Sequence, residues 1–238
     1  MLRGNGVLYL MPVWLGELGG TEQLPPENIA IAGRVDLWFA EHEKTARLML
    51  RRMLPEIDLQ RQEIHRFDKD GTTAEAEALL RLMQGGRDAA VISEAGMPGI
   101  ADPGALLVRA AHRIGIRVVP LTGPSSMMLA LAASGLNGQR FTFHGYLPRT
   151  PQERKQAIRK IEADALRSGG AELFMETPYR NDVLLGELLQ TCASSTLLTI
   201  AVDVTQPGGS VETRSVSNWS KDTPILGKRP AVFILGRP

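Results

Sequence analysis

Three stretches of the chain combine residue types that can do chemistry. Ser93-Glu-Ala-Gly-Met-Pro-Gly-Ile-Ala-Asp-Pro-Gly104 follows an apolar run and precedes a helix-forming one. Glycine lets the backbone approach a bound molecule, and proline fixes the loop's shape. The carboxyl end of a buried strand is where open α/β sheets hold ligands. Pro120-Leu-Thr-Gly-Pro-Ser-Ser126 likewise leaves a strand and opens a helix. Its Ser125 and Ser126 can cap that helix or offer hydroxyls and N–H groups to a ligand. In Ala40-Glu-His-Glu-Lys44, an acid and an imidazole directly follow a buried strand. Glu41 and His42 are therefore the candidate catalytic pair, suited to taking or positioning a proton; a solvated helix start is the plain alternative. Asp102, before Pro103, reads as a helix cap, and Glu94 and Glu176 are secondary candidates.

Other chemistries find less support. Cys192 is the only cysteine, which excludes an intrachain disulfide framework and a multi-cysteine zinc site. His42, His65, His112 and His144 are scattered without metal-ligand spacing, so no metal is expected. No phosphate-binding GxxxxGK[ST] loop occurs. Gly4-Asn-Gly-Val-Leu-Tyr9 offers half of a dinucleotide fingerprint, but it precedes its strand and lacks the third glycine.

The elements that must position these residues follow from apolar periodicity. Short apolar runs at 6–11, 35–40, 89–93 and 116–121 predict buried strands, with 63–67 a shorter one. Helical spacing marks 45–54, 73–83 and 105–114, stopped by Pro55, Gly85-Gly86 and Gly115. The second half alternates in the same way, with helices at 125–134, 151–166 and 182–191, and strands at 141–144, 171–175, 196–204 and 231–235. Its closer strand spacing around Gly208-Gly209 predicts hairpins. The expectation is an α/β protein of two α/β domains, 1–121 with a mostly parallel sheet and 122–238 with a mixed sheet.

Lys plus Arg total 27 against 26 Asp plus Glu, a net charge of +1. That excludes a generic nucleic-acid coat but leaves room for a local basic patch. One such segment runs from Arg149 to Lys160, with five basic residues and one acid. Together with Arg47, Arg51 and Arg52 it could face RNA phosphates, or it could be a solvated helix face. No apolar run reaches the roughly 18 residues of a membrane span, and Pro12 and Glu17 make the start a poor signal peptide. A cytoplasmic protein is expected.

The motifs EAGMPGIADPG, RxGIRVVPLTGPSS, LAASGL and RFTFHGYLP, in that order, resemble the tetrapyrrole methylase family of S-adenosylmethionine-dependent methyltransferases. The likeness is dense over 91–148 and traceable through both ends. The branch it most resembles 2′-O-methylates a cytidine of small-subunit ribosomal RNA. The resemblance implies a cofactor cleft between the two domains, usually in a homodimer. It implies S-adenosyl-L-methionine contacts at Ala95, Gly96, Met97 and Ile100, at Ser125 and Ser126, at Met175 near the adenine, and at Val204, Pro230 and Ala231. Pro12 matches the proline of the family's first loop.

The chain departs from that branch on the acceptor side. Where the branch carries an AEDTR-type motif, Glu41 is kept, but His42 and Lys44 stand at the Asp and Arg positions. The first loop loses an Asn and gains Trp14, 24–29 looks like an insertion, and an HDHNE-like motif survives only as His65-Arg-Phe-Asp68. Three readings follow: an RNA methyltransferase, a methyltransferase on a tetrapyrrole or other small molecule, or an inactive cofactor-binding protein. Trp14, Trp38 or Met127-Met128 could serve a dimer interface.

Overall fold

The computed structural model describes residues 6–68, 71–102 and 104–238. Gly4 and Asn5 of the partial dinucleotide fingerprint, and Pro103, lie outside them. The chain forms two compact units, Met1–Ser125 and Ser126–Pro238.

The first unit holds β1 (Val7–Met11), β2 (Leu37–Ala40), β3 (Glu63–Arg66), β4 (Ala89–Ile92) and β5 (Arg117–Pro120) in the order β3-β2-β4-β1-β5. Every pairing is parallel. Parallel strands need crossovers, supplied by α1 (Pro26–Ala32), α2 (Glu43–Met53), α3 (Thr73–Leu80) and α4 (Ala105–Arg113). The central strands read as continuous apolar runs because both faces are covered. Tyr9, Met11, Trp38 and Ile92 pack towards α1 and α2, while Leu8, Phe39 and Val91 pack towards α3 and α4. Thr72 and Glu75 form a reciprocal capping box that starts α3 where the periodicity places it.

The second unit holds α5 (Ser126–Ser134), β6 (Phe141–Tyr146), α6 (Pro151–Ser168), β7 (Ala171–Met175), α7 (Asn181–Thr191), β8 (Leu197–Val202), β9 (Ser210–Ser215), α8 (Val216–Lys221) and β10 (Ala231–Gly236). Its strand order is β6-β7-β10-β8-β9. Only β6 and β7 are parallel, so the sheet is mixed. α5 covers one face and α6, α7 and α8 the other, with Phe174 and Phe233 stacked at 6.0 Å on the latter.

In places the structure departs from what the sequence pattern predicts. The stretch expected to be a loop with an insertion contains α1. Its Asn28, 2% exposed, donates from Nδ2 to the Thr122 carbonyl at 2.8 Å, tying the helix to the loop after β5. Trp14, Trp38 and Met127 are buried, so they cannot serve an interface. The Arg52 guanidinium lies 4.4 Å from the Trp14 ring, and Trp38 Nε1 donates to Gln62 at 2.8 Å. β9 and α8 escape the apolar pattern because their residues are mostly polar and half exposed.

Candidate active site

Parallel pairing brings the carboxyl ends of β1, β2, β4 and β5 to one edge of the first sheet. The connections from β1 and β2 leave over one face and that from β4 over the other. β4 is thus flanked on both sides by a topological switch point, where a crevice opens for a ligand.

On the β1 side, the loop after β4 is pinned to the loop after β1. Val13 N donates to Gly96 O at 2.9 Å, and Gly96 N donates to Val13 O at 3.0 Å. Ser93, buried, donates its hydroxyl to the same Gly96 carbonyl at 2.6 Å. Gly96 adopts φ +71°, which side-chain-bearing residues rarely do, and a Cβ there would lie 3.3 Å from Pro124 O. Pro12 abuts Gly123 so closely that a Cβ on Gly123 would sit 2.3 Å from Pro12 Cβ. Pro12, Gly96, Ser125 and their neighbours therefore share one rigid cradle built largely of backbone. Met97 is half buried and Ile100 exposed on its rim. Ser125 is buried, and its Oγ has no hydrogen-bond partner. A desolvated hydroxyl without a partner costs about 1–3 kcal/mol, which a bound polar ligand would recover.

On the β2 side, Glu41 and His42 emerge beside the end of β4. His42 Nδ1 lies 2.7 Å from Glu94 Oε1. An exposed pair of this kind contributes about 0–1 kcal/mol, so stability alone does not account for it. Glu41, Glu94 and Asp102 line one small cavity with Phe39 and Phe67. Asp102 does not cap α4, whose N-cap is Gly104 with no side-chain hydrogen bond. Asp102 Oδ2 is instead buried without a partner. Burial, then the charges of Glu41 and Glu94, push its pKa up to about 7. The sequence pattern undervalued Asp102 and Glu94, because loop spacing cannot show which acids meet. Glu41, His42 and Glu94 place donor atoms within 4.8 Å of one another and could share a cation, yet the group is mostly exposed and His42 Nδ1 is already engaged. The arrangement fits proton transfer better. Cys192 is buried, its thiol pushed up to about 12, so it is no nucleophile.

In the second unit, Met175, Val204, Pro230 and Ala231 gather at one end of the sheet. Met175 pairs with Val232, and Asp203 N donates to Pro230 O at 3.0 Å. Asp203 and Thr205 flank Val204 at φ 46° and 76°, and Ala101 beside Asp102 has φ 58°. These are the non-glycine residues with positive φ among those described, and such strain concentrates at functional sites. The same end holds Glu176, Arg180 and Asn181, each with an unpartnered buried atom. Glu176 accepts from Arg180 Nη2 at 2.5 Å. Ser126 opens α5 and is half buried.

The basic segment is not a uniform patch. Arg154 is buried and holds Glu187 through Nε and Nη2 at 2.5 and 2.8 Å, and also donates to the carbonyls of Pro148 and Arg149. Arg149, Lys155, Arg159 and Lys160 remain exposed. Arg47, Arg51 and Arg52 donate to the carbonyls of Leu59, Pro55 and Gly19 in the first unit.

Comparison with known proteins gives these sites a family. A sequence model described as Tetrapyrrole (Corrin/Porphyrin) Methylases matches residues 18–217. Ribosomal RNA small subunit methyltransferase I of Escherichia coli O157:H7 is 31% identical over 236 residues, covering 98% of this chain and 78% of the relative. The protein of that name from Xylella fastidiosa (strain Temecula1) is 32% identical over 201 residues, covering 84% of this chain and 69% of its own. The crystal structure of the methyltransferase CobJ has the same fold, with a TM-score of 0.65 at 20% identity over 98% of this chain and 94% of that one. Among the described residues, no helix is long and apolar enough to cross a membrane. The chain belongs to the tetrapyrrole methylase family and is a methyltransferase of that family.

Proposed function

We propose that the chain is an S-adenosylmethionine-dependent methyltransferase of small-subunit ribosomal RNA, acting in the cytoplasm as a homodimer on a ribose 2′-hydroxyl. The observation that carries the cofactor assignment is Ser125. Its buried, unpartnered hydroxyl stands at the foot of the Gly96 cradle, at a position the family resemblance assigns to the cofactor. The RNA assignment rests on the relatives' names.

When bound, S-adenosylmethionine supplies the methyl group from a sulfonium, without a covalent enzyme intermediate. The protein must align the acceptor, exclude water and remove the hydroxyl proton. Ala95, Gly96, Met97 and Ile100 shape the cradle with Pro12, and Ser125 donates or accepts a hydrogen bond there. Ser126, Met175, Val204, Pro230 and Ala231 complete the set proposed to hold the cofactor. Glu94 accepts from Nδ1–H of His42 and so leaves Nε2 as the free, basic nitrogen. His42 Nε2 then takes the proton of the acceptor hydroxyl, and Glu41 positions that hydroxyl.

Transfer of labelled methyl from S-adenosylmethionine to small ribosomal subunits, isolated from cells lacking this protein, tests the reading. Label on a ribose of the RNA is the expected result. Calorimetric cofactor binding without label on RNA would redirect the reading to a tetrapyrrole or other small acceptor. Absence of cofactor binding would overturn it.

A further inference from the structure

The opposite end of the second unit's sheet carries a cationic corner that the methyl-transfer site does not use. Ala171 N donates to Arg140 O at 2.9 Å, which sets Arg140 beside the turn entering β7. The antiparallel pairing of β7 with β10 brings Arg237 to the same turn. Gly169 ends α6 in the left-handed region at φ 68°, and a Cβ there would lie 3.2 Å from Arg237 Cζ. The Arg237 guanidinium therefore rests against this glycine. Arg140 Nη1 donates to Ser168 O at 3.2 Å, and Arg167 stands exposed one residue earlier in the last turn of α6. An open groove of about 450 Å³ runs past Arg140, Arg167 and His144.

The acids in this groove are already engaged. Glu172 is buried and lies 2.6 Å from His144 Nε2, and Asp164 pairs with Arg167. Among the described residues, neither Arg140 nor Arg237 forms an ion pair. Lys160 lies seven residues before Arg167, two turns along the same ridge of α6, and is exposed. Crowding like charges around a glycine turn is unfavourable by itself and becomes favourable when a polyanion covers it. Phe141 follows Arg140 and is 42% exposed, a ring on which an unstacked base can lie. Met175, Val204 and Pro230 sit at the other end of the strands. Five residues of β7 separate the two ends by about 15 Å, too far for this corner to touch a transferred methyl.

We infer that Arg140, Arg167 and Arg237 form a docking site for the phosphate backbone of the RNA substrate, remote from the reacting nucleotide. This rests on the RNA reading above. It predicts that part of the substrate affinity comes from contacts that read charge rather than sequence.

The test measures binding of purified small-subunit ribosomal RNA against salt, without cofactor, for the wild type, Arg140→Gln/Arg237→Gln and Arg140→Lys/Arg237→Lys. The Gln pair is expected to weaken binding roughly 20-fold near 0.1 M salt and to flatten the log–log salt slope by about 1.5–2. The Lys pair should restore the slope, and thermal melting and cofactor affinity should match the wild type in both. If the wild type binds and methylates RNA while the Gln pair binds with unchanged affinity and slope, the docking site is overturned and the RNA reading stands. If the wild type binds no ribosomal RNA, both fall.

Discussion

His42 and Glu94, from strands adjacent in the sheet, meet through Nδ1 and Oε1 at 2.7 Å, an imidazole–carboxylate pair at the carboxyl edge of the first sheet. If this pair removes the acceptor proton, His42→Ala should lower kcat by about 10²–10⁴-fold while leaving the cofactor Kd unchanged. Glu94→Gln keeps the shape but loses the charge that orients the ring, and a smaller loss of roughly tenfold is expected. Single-turnover methyl transfer measures both, and unaltered rates would remove the pair from the mechanism.

Asp102 gives the protein a pH-dependent stability term whose sign follows from its raised pKa of about 7. Between the ordinary carboxylate range and that value, the folded state binds a proton that the unfolded state has lost. The term therefore stabilises the fold at low pH and disappears as pH rises through about 7. Asp102→Asn should be more stable than the wild type above pH 8, by about 2 kcal/mol after discounting for solvent screening, with the gap closing near pH 4. Denaturant melts across this range check it.

Ser125 should show opposite effects on folding and binding. Removing an unpartnered buried hydroxyl leaves the ligand-free protein as stable or up to about 1 kcal/mol more so. The same Ser125→Ala change should weaken S-adenosylmethionine about fivefold, the loss of one hydrogen bond. Thermal melting with and without cofactor reads both quantities in one titration.

Gly123→Ala should fail for a steric reason. Its Cβ would fall 2.3 Å from Pro12 Cβ, so the two loops must part. A destabilisation of about 2–3 kcal/mol is expected, with weaker cofactor binding, because the cradle's wall moves. Gly85→Ala, where nothing lies within 4 Å but φ is +80°, is a backbone-strain control that should spare the cofactor affinity.

Arg154 and Lys155 separate a buried, paired charge from an exposed one within the basic segment. Arg154→Met breaks a buried pair and leaves Glu187 uncompensated, costing about 3 kcal/mol by chemical denaturation. Lys155→Gln should change stability by no more than about 0.5 kcal/mol, as exposed substitutions do.

The amino-acid sequence by itself determined the alternation of strands and helices, the parallel character of the first sheet and the loops at 93–104 and 120–126. These follow from local rules: apolar runs for doubly covered strands, glycine and proline at the breaks, and serine at a helix start. The position of Glu41 and His42 at the end of a buried strand was legible from the apolar run before them. The tertiary structure decided what needs distance in sequence. It paired His42 with Glu94 and turned Asp102 from an expected helix cap into a half-buried acid near the Glu41 and Glu94 carboxylates. It withdrew Arg154 from the basic segment and buried Trp14 and Trp38. It also collected Arg140, Arg167 and Arg237, which no spacing rule connects, because the parallel β6 brings its start, and the antiparallel β10 its end, beside the start of β7. Local pattern specifies elements; sheet order specifies which of their ends meet, and the proposed catalytic pair and docking site both lie at those ends.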